Sequence, residues 1–267
     1  MIPWKPLSSV VSIFLLTIGH GLAQTTDGRQ LAEVLALRDK VANADTKVRV
    51  DALHRVWSIA LASDDSQIKL AALGLLVEPV GSSSDHVRMP AVYAIAEIAN
   101  STDDPQVKIR ALAALAEPLQ ASQVPIRVVA IDAVNSITRS GKAGGVPAAA
   151  VRALDPAIKS GTNGVRIPAI NALARAVESS DDPAAHDAAI TALVAALDSN
   201  AVIGGMEVRM MAVAAMEKIG RGATQIGTKA KAMGLVQAYS ARSNWEPEAR
   251  RRAQEAASRI EASMKQP

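Results

Sequence analysis

The chain has no cysteine among its 267 residues. Disulfides cannot hold the fold together, thiol chemistry and cysteine-ligated metals are excluded, and no lipid can be attached through a cysteine thiol. Aromatic side chains are nearly as scarce: one Phe, two Tyr and three Trp. Trp4 and Phe14 lie near the amino terminus, leaving Trp57, Tyr93, Tyr239 and Trp245 dispersed over the remainder. Platforms that stack nucleobases or sugars need several rings converging, which this distribution does not offer. Charge is almost balanced, with 29 Lys and Arg against 26 Asp and Glu spread along the whole length, so no concentrated basic footprint for nucleic acid is present. No segment alternates apolar and polar residues as a half-buried strand would.

Residues 1–23 read as a secretory signal peptide. Lys5 supplies a positive start, Val10 to Gly19 an apolar run of roughly ten residues, and Gly21-Leu22-Ala23 a small-x-small cleavage site. A membrane span needs about 20 apolar residues, so cleavage is expected over retention as an anchor. The expectation is a mature chain over 24–267, periplasmic or secreted, with no stable membrane span after cleavage.

What the chain does have is repetition. The stretch from Val87 to Leu119 reads as one complete helix, one capped turn and a second complete helix, and nearly everything after residue 28 is a variant of it. Asp104 is placed to cap the free amides of a helix, with Pro105 at the first helical position, where a missing N–H costs nothing. An apolar-basic pair recurs at Val48-Arg49, Val87-Arg88, Ile126-Arg127, Val165-Arg166, Val208-Arg209 and, degenerate, Ala249-Arg250, at intervals of 39, 39, 39, 43 and 41 residues. A fixed period of this size marks a solenoid. A second series lies between, at Ile68-Lys69 and Val107-Lys108, with degraded copies expected near Ala149 to Leu154 and Ala185 to Ile190. Asp-Asp pairs at 64/65, 103/104 and 181/182 punctuate helix starts, and Glu78-Pro79, Glu117-Pro118 and Asp155-Pro156 are placed to end or kink helices in register.

These residues resemble the HEAT-repeat family, of an exported bacterial type, over roughly residues 28 to 264. The resemblance implies an all-α, right-handed α-solenoid of about six HEAT-like helix pairs in a single domain, and it implies partnership and not chemistry. Two departures stand out: Lys142-Ala143-Gly144-Gly145 replaces Asp-Asp in the fourth pair, and Ser199 to Met206 is an insertion in the fifth. The stack is expected to bend or loosen between residues 141 and 206.

Candidate chemistry is thin. His54, His86 and His186 stand in different repeats without a spaced ligand and read as surface or capping residues, not as metal ligands or catalytic bases. Met206, Met210, Met211 and Met216 cluster without a neighbouring histidine and read as core filler and not as a copper site. Gly144-Gly145 and Gly204-Gly205 lack the strand-loop-helix setting of a phosphate cradle and read as turns. No catalytic residue, metal site or cofactor is therefore expected.

Helical rotation assigns the two faces of each second helix. Counting the Val or Ile as zero, apolar residues at 0, +4, +5, +8 and +11 or +12 point one way, at about 100° per residue. Arg49, Arg88, Arg127, Arg166 and Arg209, at +1, turn toward the stack, so they are expected to form a structural ladder bonded to loop carbonyls or to neighbours such as Asp45, Asp85 and Asn163. The opposite line, +3, +6 and +10, varies from repeat to repeat. Within it Tyr93, Glu97, Asp132, Asn171 and Arg175 cross three successive repeats and are the candidate contacts for a protein or peptide partner. The expected function is a non-catalytic exported scaffold without nucleic-acid binding; the alternative is an enzyme or enzyme accessory of the HEAT-like lyase type.

Overall fold

A computed structural model describes residues 26–141, 144–159, 162–178, 180–198 and 205–265. The expected signal peptide, Lys142-Ala143 and most of the insertion from Ser199 lie outside the described residues.

All regular structure among the described residues is helical: α1 (Thr26–Ala36), α2 (Arg38–Val41), α3 (Thr46–Ala62), α4 (Ser66–Val80), α5 (Asp85–Asn100), α6 (Pro105–Ala114), a 3-10 turn (Pro118–Gln120), α7 (Val124–Ser140), α8 (Val146–Lys159), α9 (Asn163–Val177), α10 (Pro183–Leu197), α11 (Gly205–Gly222), α12 (Ile226–Ser240) and α13 (Pro247–Met264). Counting α1 and α2 as one helix interrupted at Leu37, these make six pairs. The second helices α3, α5, α7, α9, α11 and α13 pack each on the next, and the first helices do the same from α1 through α12, with only slight contact between α10 and α12. Each helix thus touches its next-but-one neighbour in sequence, which makes two parallel layers and a solenoid-like stack.

Apolar stripes at helical spacing drive this arrangement. A single core of Ala, Val, Leu and Ile runs from Val34 to Ile260, and most of its members are fully buried. Alanine at so many interface positions lets neighbouring helices approach closely without voids. Met216 belongs to this core and Met210 and Met211 pack on it, while Met206 is exposed.

The helix starts follow from local chemistry. Asp65, Asp104 and Asp182 accept from the amides of Gln67, Gln106 and Ala184 at 2.7, 2.8 and 2.9 Å. Asp45 does the same for Lys47 and Val48. A cap of this kind contributes on the order of 1 kcal/mol. Ahead of four of these caps or their equivalents sits a hydroxyl that holds the turn: Ser63, Ser82, Thr102 and Ser180 each accept the amide two residues on, at 3.1 to 3.2 Å. In the fourth pair, where no acidic residue precedes α8, Gly144 and Gly145 take φ of 63° and 83°, a left-handed conformation that favours glycine.

Stacking is retained on either side of the two departures, with α8 packed on α6 and α10 and α9 on α7 and α11, whereas α10 touches α12 only slightly. One expectation needs correcting. The second series has a different register. Its fourth-pair member is Val146-Pro147, at the start of α8, and not the stretch from Ala149. Positions 69, 108, 147 and 186 are then spaced by 39 residues each.

Candidate functional site

The recurring cations of the repeat are consumed by the fold. Arg49, Arg127 and Arg166 each donate Nε to the carbonyl eight residues earlier, Val41, Leu119 and Ile158, at 3.1, 3.1 and 3.0 Å. Arg88 donates to Ser82, six residues earlier, at 2.7 Å. These carbonyls close the preceding first helix, where unpaired C=O groups and the helix dipole favour a cation. The guanidinium then reaches the next repeat: Arg49 to Glu78 at 3.0 Å, Arg88 to Gln123 at 2.8 Å, Arg166 to the Ala196 carbonyl at 3.4 Å and Arg209 to Glu246 at 3.0 Å. The side-chain partners of Arg49 and Arg88 are therefore Glu78 and Gln123 and not Asp45 and Asp85. Asp45 is occupied in capping its own helix. Arg209 departs from the pattern, with its Nε buried and without a partner among the described residues and its guanidinium 5.6 Å from the Trp245 ring centre.

A second ladder occupies the opposite edge of the stack. Lys69 and Lys108 are 1% exposed, and each ammonium reaches second-helix C-termini: Lys69 to the Ala60 carbonyl and the Ser101 hydroxyl at 3.2 and 2.7 Å, Lys108 to the Ser140 carbonyl and hydroxyl at 2.9 Å each. Lys229 donates to the Ser263 carbonyl at 3.0 Å. His186 occupies the same register, buried, with Nε2 2.9 Å from the Val177 carbonyl; a carbonyl only accepts, so that nitrogen carries the proton. The histidine caps a helix as expected but is not at the surface. Pro147 cannot donate, and the lysine ladder skips this repeat. Burial pushes Lys69 and Lys108 below the ordinary lysine value, with Asp64 and Asp103 offsetting part of the effect. Burial also lowers Arg166.

The opposite line of the second helices is built differently. Tyr93 and Glu97 stand one turn apart on α5, Asp132 on α7, and Asn171 and Arg175 one turn apart on α9, three helices that pack in series. Tyr93 is 49% exposed, Glu97, Asp132 and Arg175 are exposed, and Asn171 is half-buried. None of the five makes a hydrogen bond or ion pair among the described residues. Nearby Asn100 is committed, joining α5 to α7 through Ser136 and Ser140 at 2.8 and 2.9 Å. The sixth pair continues the line with Arg252, Glu255 and Arg259.

Sequence reasoning missed the lysine ladder and a buried carboxylate. Glu217 on α11, 6% exposed, is shared by Arg221, Arg252 and Arg259 at 3.4, 3.4 and 3.2 Å. An acidic residue at +9, on the border of the apolar stripe, was its only signal. No three His, Asp or Glu converge as a metal site would require among the described residues. No helix among them is long and apolar enough to cross a membrane.

No family model and no curated protein matches the sequence. Solved structures do. An engineered protein from a structural-genomics programme is 22% identical, covering 86% of this chain and 98% of its own, with a TM-score of 0.50. A designed armadillo repeat protein, solved with the peptide (KR)4, is 22% identical over 85% of this chain and 99% of its own, with a TM-score of 0.46. A HEAT-like repeats protein from the archaeon Thermococcus onnurineus is 12% identical over 93% and 97%, with a TM-score of 0.49. The likeness is one of fold alone.

Proposed function

We propose that the chain is a non-catalytic, exported scaffold that holds a protein or peptide partner against the face lined by its second helices. The observation that carries this reading is a division of labour among polar side chains. The repeated cations are consumed in two internal ladders, whereas Tyr93, Glu97, Asp132, Asn171 and Arg175 cross three packed helices with no partner among the described residues. A stack of packed helices presents these groups preformed, which lowers the ordering cost of binding. Tyr and Arg are the residue types that most often dominate such surfaces. Export rests on the charge, apolar run and cleavage pattern of the first 23 residues.

The test is crosslinking and affinity capture from the native envelope, with the wild type and a Tyr93→Ala/Arg175→Ala variant. A partner retained by the wild type and lost by the folded variant is expected. Equal recovery by both would move the binding surface elsewhere, and recovery of no protein by the wild type would count against the scaffold.

A further inference from the structure

The exposed line changes sign along the stack. On α3, α5 and α7 the +3, +6 and +10 positions hold three carboxylates, Asp51, Glu97 and Asp132, and no Lys or Arg; on α9, α11 and α13 they hold four cations, Arg175, Lys218, Arg252 and Arg259, and one carboxylate, Glu255. At the cationic end a pocket of about 500 Å³ opens between the C-terminal part of α11 and α13, bordered by Glu178, Lys218, Arg221 and Arg252.

Its floor is a charge arrangement that the ladders do not explain. Glu217 is nearly sealed from water, and a lone buried carboxylate would be costly. Three guanidiniums share it at long distances of 3.2 to 3.4 Å, one from its own helix and two from α13. Each guanidinium carries five N–H groups in a fixed fork, so one carboxylate, even with Glu255 beside Arg252 and Arg259 at 3.9 and 3.5 Å, leaves most of these donors free. Arg221 and Arg259 are 57% and 46% exposed at the side chain, so their remaining donors face solvent. Lys218 is neutralised by Glu178 at 2.6 Å, which leaves the arginines as the recognising groups.

We infer that this pocket binds a carboxylate-rich peptide segment, with Arg221 and Arg252 of its lining, and Arg259 beside them on the shared Glu217, taking its side-chain carboxylates through charge-assisted pairs and Glu217 acting as the buried positioning residue that gathers the three guanidiniums. Paired donors in a fixed fork suit planar carboxylates, and the pocket continues the line that crosses α5, α7 and α9. The inference rests on the scaffold reading and adds the charge and polarity of the partner. The acidic part lies at the α13 end, and the Asp51, Glu97 and Asp132 end repels it.

Fluorescence anisotropy of the full chain with labelled octapeptides tests this directly, using one peptide of Asp and Glu, one of Lys and Arg, and one neutral. The acidic peptide binds at least tenfold tighter than the other two, and its affinity falls with added salt. Arg252→Ala/Arg259→Ala weakens it about tenfold or more. Because that variant strips partners from Glu217 and can unfold, Arg221→Glu serves as a second variant that leaves the two α13 arginines in place; titrated where its circular dichroism matches the wild type, it loses affinity to a similar extent. Lys47→Ala, at the far end of the stack, binds as the wild type does. No preference for the acidic peptide, or undiminished binding by folded Arg221→Glu, overturns the inference. So does displacement by inorganic phosphate as effective as displacement by unlabelled acidic peptide, which would make this a phosphate site. Failure of the peptide titration while the envelope partner is still captured removes the pocket and keeps the scaffold; the reverse result removes the scaffold alone.

Discussion

The Lys108 ammonium lies 2.9 Å from both the carbonyl and the hydroxyl of Ser140, the last residue of α7, having crossed from the first turn of α6. The lysine stem passes directly over Gly141, where an added Cβ would fall 2.6 Å from Cδ and 2.9 Å from Cε. Gly141 has φ of −156°, an extended conformation open to any residue, so what the glycine supplies is space.

The first prediction follows from that geometry. Gly141→Ala forces the Lys108 stem aside, pulling a buried ammonium from the Ser140 carbonyl and hydroxyl, and is expected to cost about 1–3 kcal/mol. In a Lys108→Ala background the same substitution should be nearly neutral. A double-mutant cycle by urea denaturation checks this; additive effects would show that the lysine is not held where the ladder requires it.

The second prediction concerns the other ladder. Arg166 is 3% exposed, and its guanidinium joins the Ile158 and Ala196 carbonyls of successive first helices. Arg166→Ala strands acceptors in both and should destabilise by about 2–4 kcal/mol. Arg166→Lys has one ammonium in place of the fork and should recover only part of this. Thermal melts at constant partner concentration distinguish this from a binding role, in which the melting temperature would not move.

The register of these ladders explains what was legible in the sequence. The apolar stripes, the Asp caps and the 39-residue period are local patterns, and local patterns sufficed for the all-α stack and for the inward turn of Arg88 and Arg166. Partners across the repeat were not legible, because Glu78 and Gln123 are brought to Arg49 and Arg88 only by stacking. Pro147 and His186 hid the lysine register by replacing its defining residue in two successive copies. The exposed line could be placed by rotation alone, whereas Glu217, at +9, gave no sign that three arginines from two helices would enclose it.

The third prediction is a pH dependence at the carboxyl-terminal end. Tyr239 is 2% exposed, stacked on Trp245 with ring centres 5.1 Å apart. Burial, and then the Asp198 carboxylate to which its hydroxyl donates, push Tyr239 up to about 12. An unfolded tyrosine ionises near 10, so the folded state holds this proton more tightly. The corresponding stability is fully present below about pH 10 and is lost as pH rises toward 12, an effect of roughly 2–3 kcal/mol. The stability difference between wild type and Tyr239→Phe should therefore shrink across that window, read by denaturant titration at each pH. A difference that stays constant from pH 9 to 12 would contradict the buried donor.

The last prediction separates surface from framework. Tyr93 and Arg175 have no hydrogen-bonding or ionic partner among the described residues, and truncating them strands no buried group. The opposite holds for Arg166 and Lys108, whose loss takes a donor from the helix-end carbonyls they reach. Substitutions at solvated positions of this kind usually stay within about 0.5 kcal/mol. Tyr93→Ala, Arg175→Ala and their combination should thus melt as the wild type does while losing the captured partner, and Arg166→Ala should lose stability first and binding only as the fraction folded declines. The two classes are told apart by plotting retained partner against melting temperature for the whole set: surface variants fall vertically at constant temperature and ladder variants move along both axes. If Tyr93→Ala instead lowers the melting temperature by several degrees, its ring is part of the packing between α5 and its neighbours and the line across α5, α7 and α9 is framework, not a docking surface.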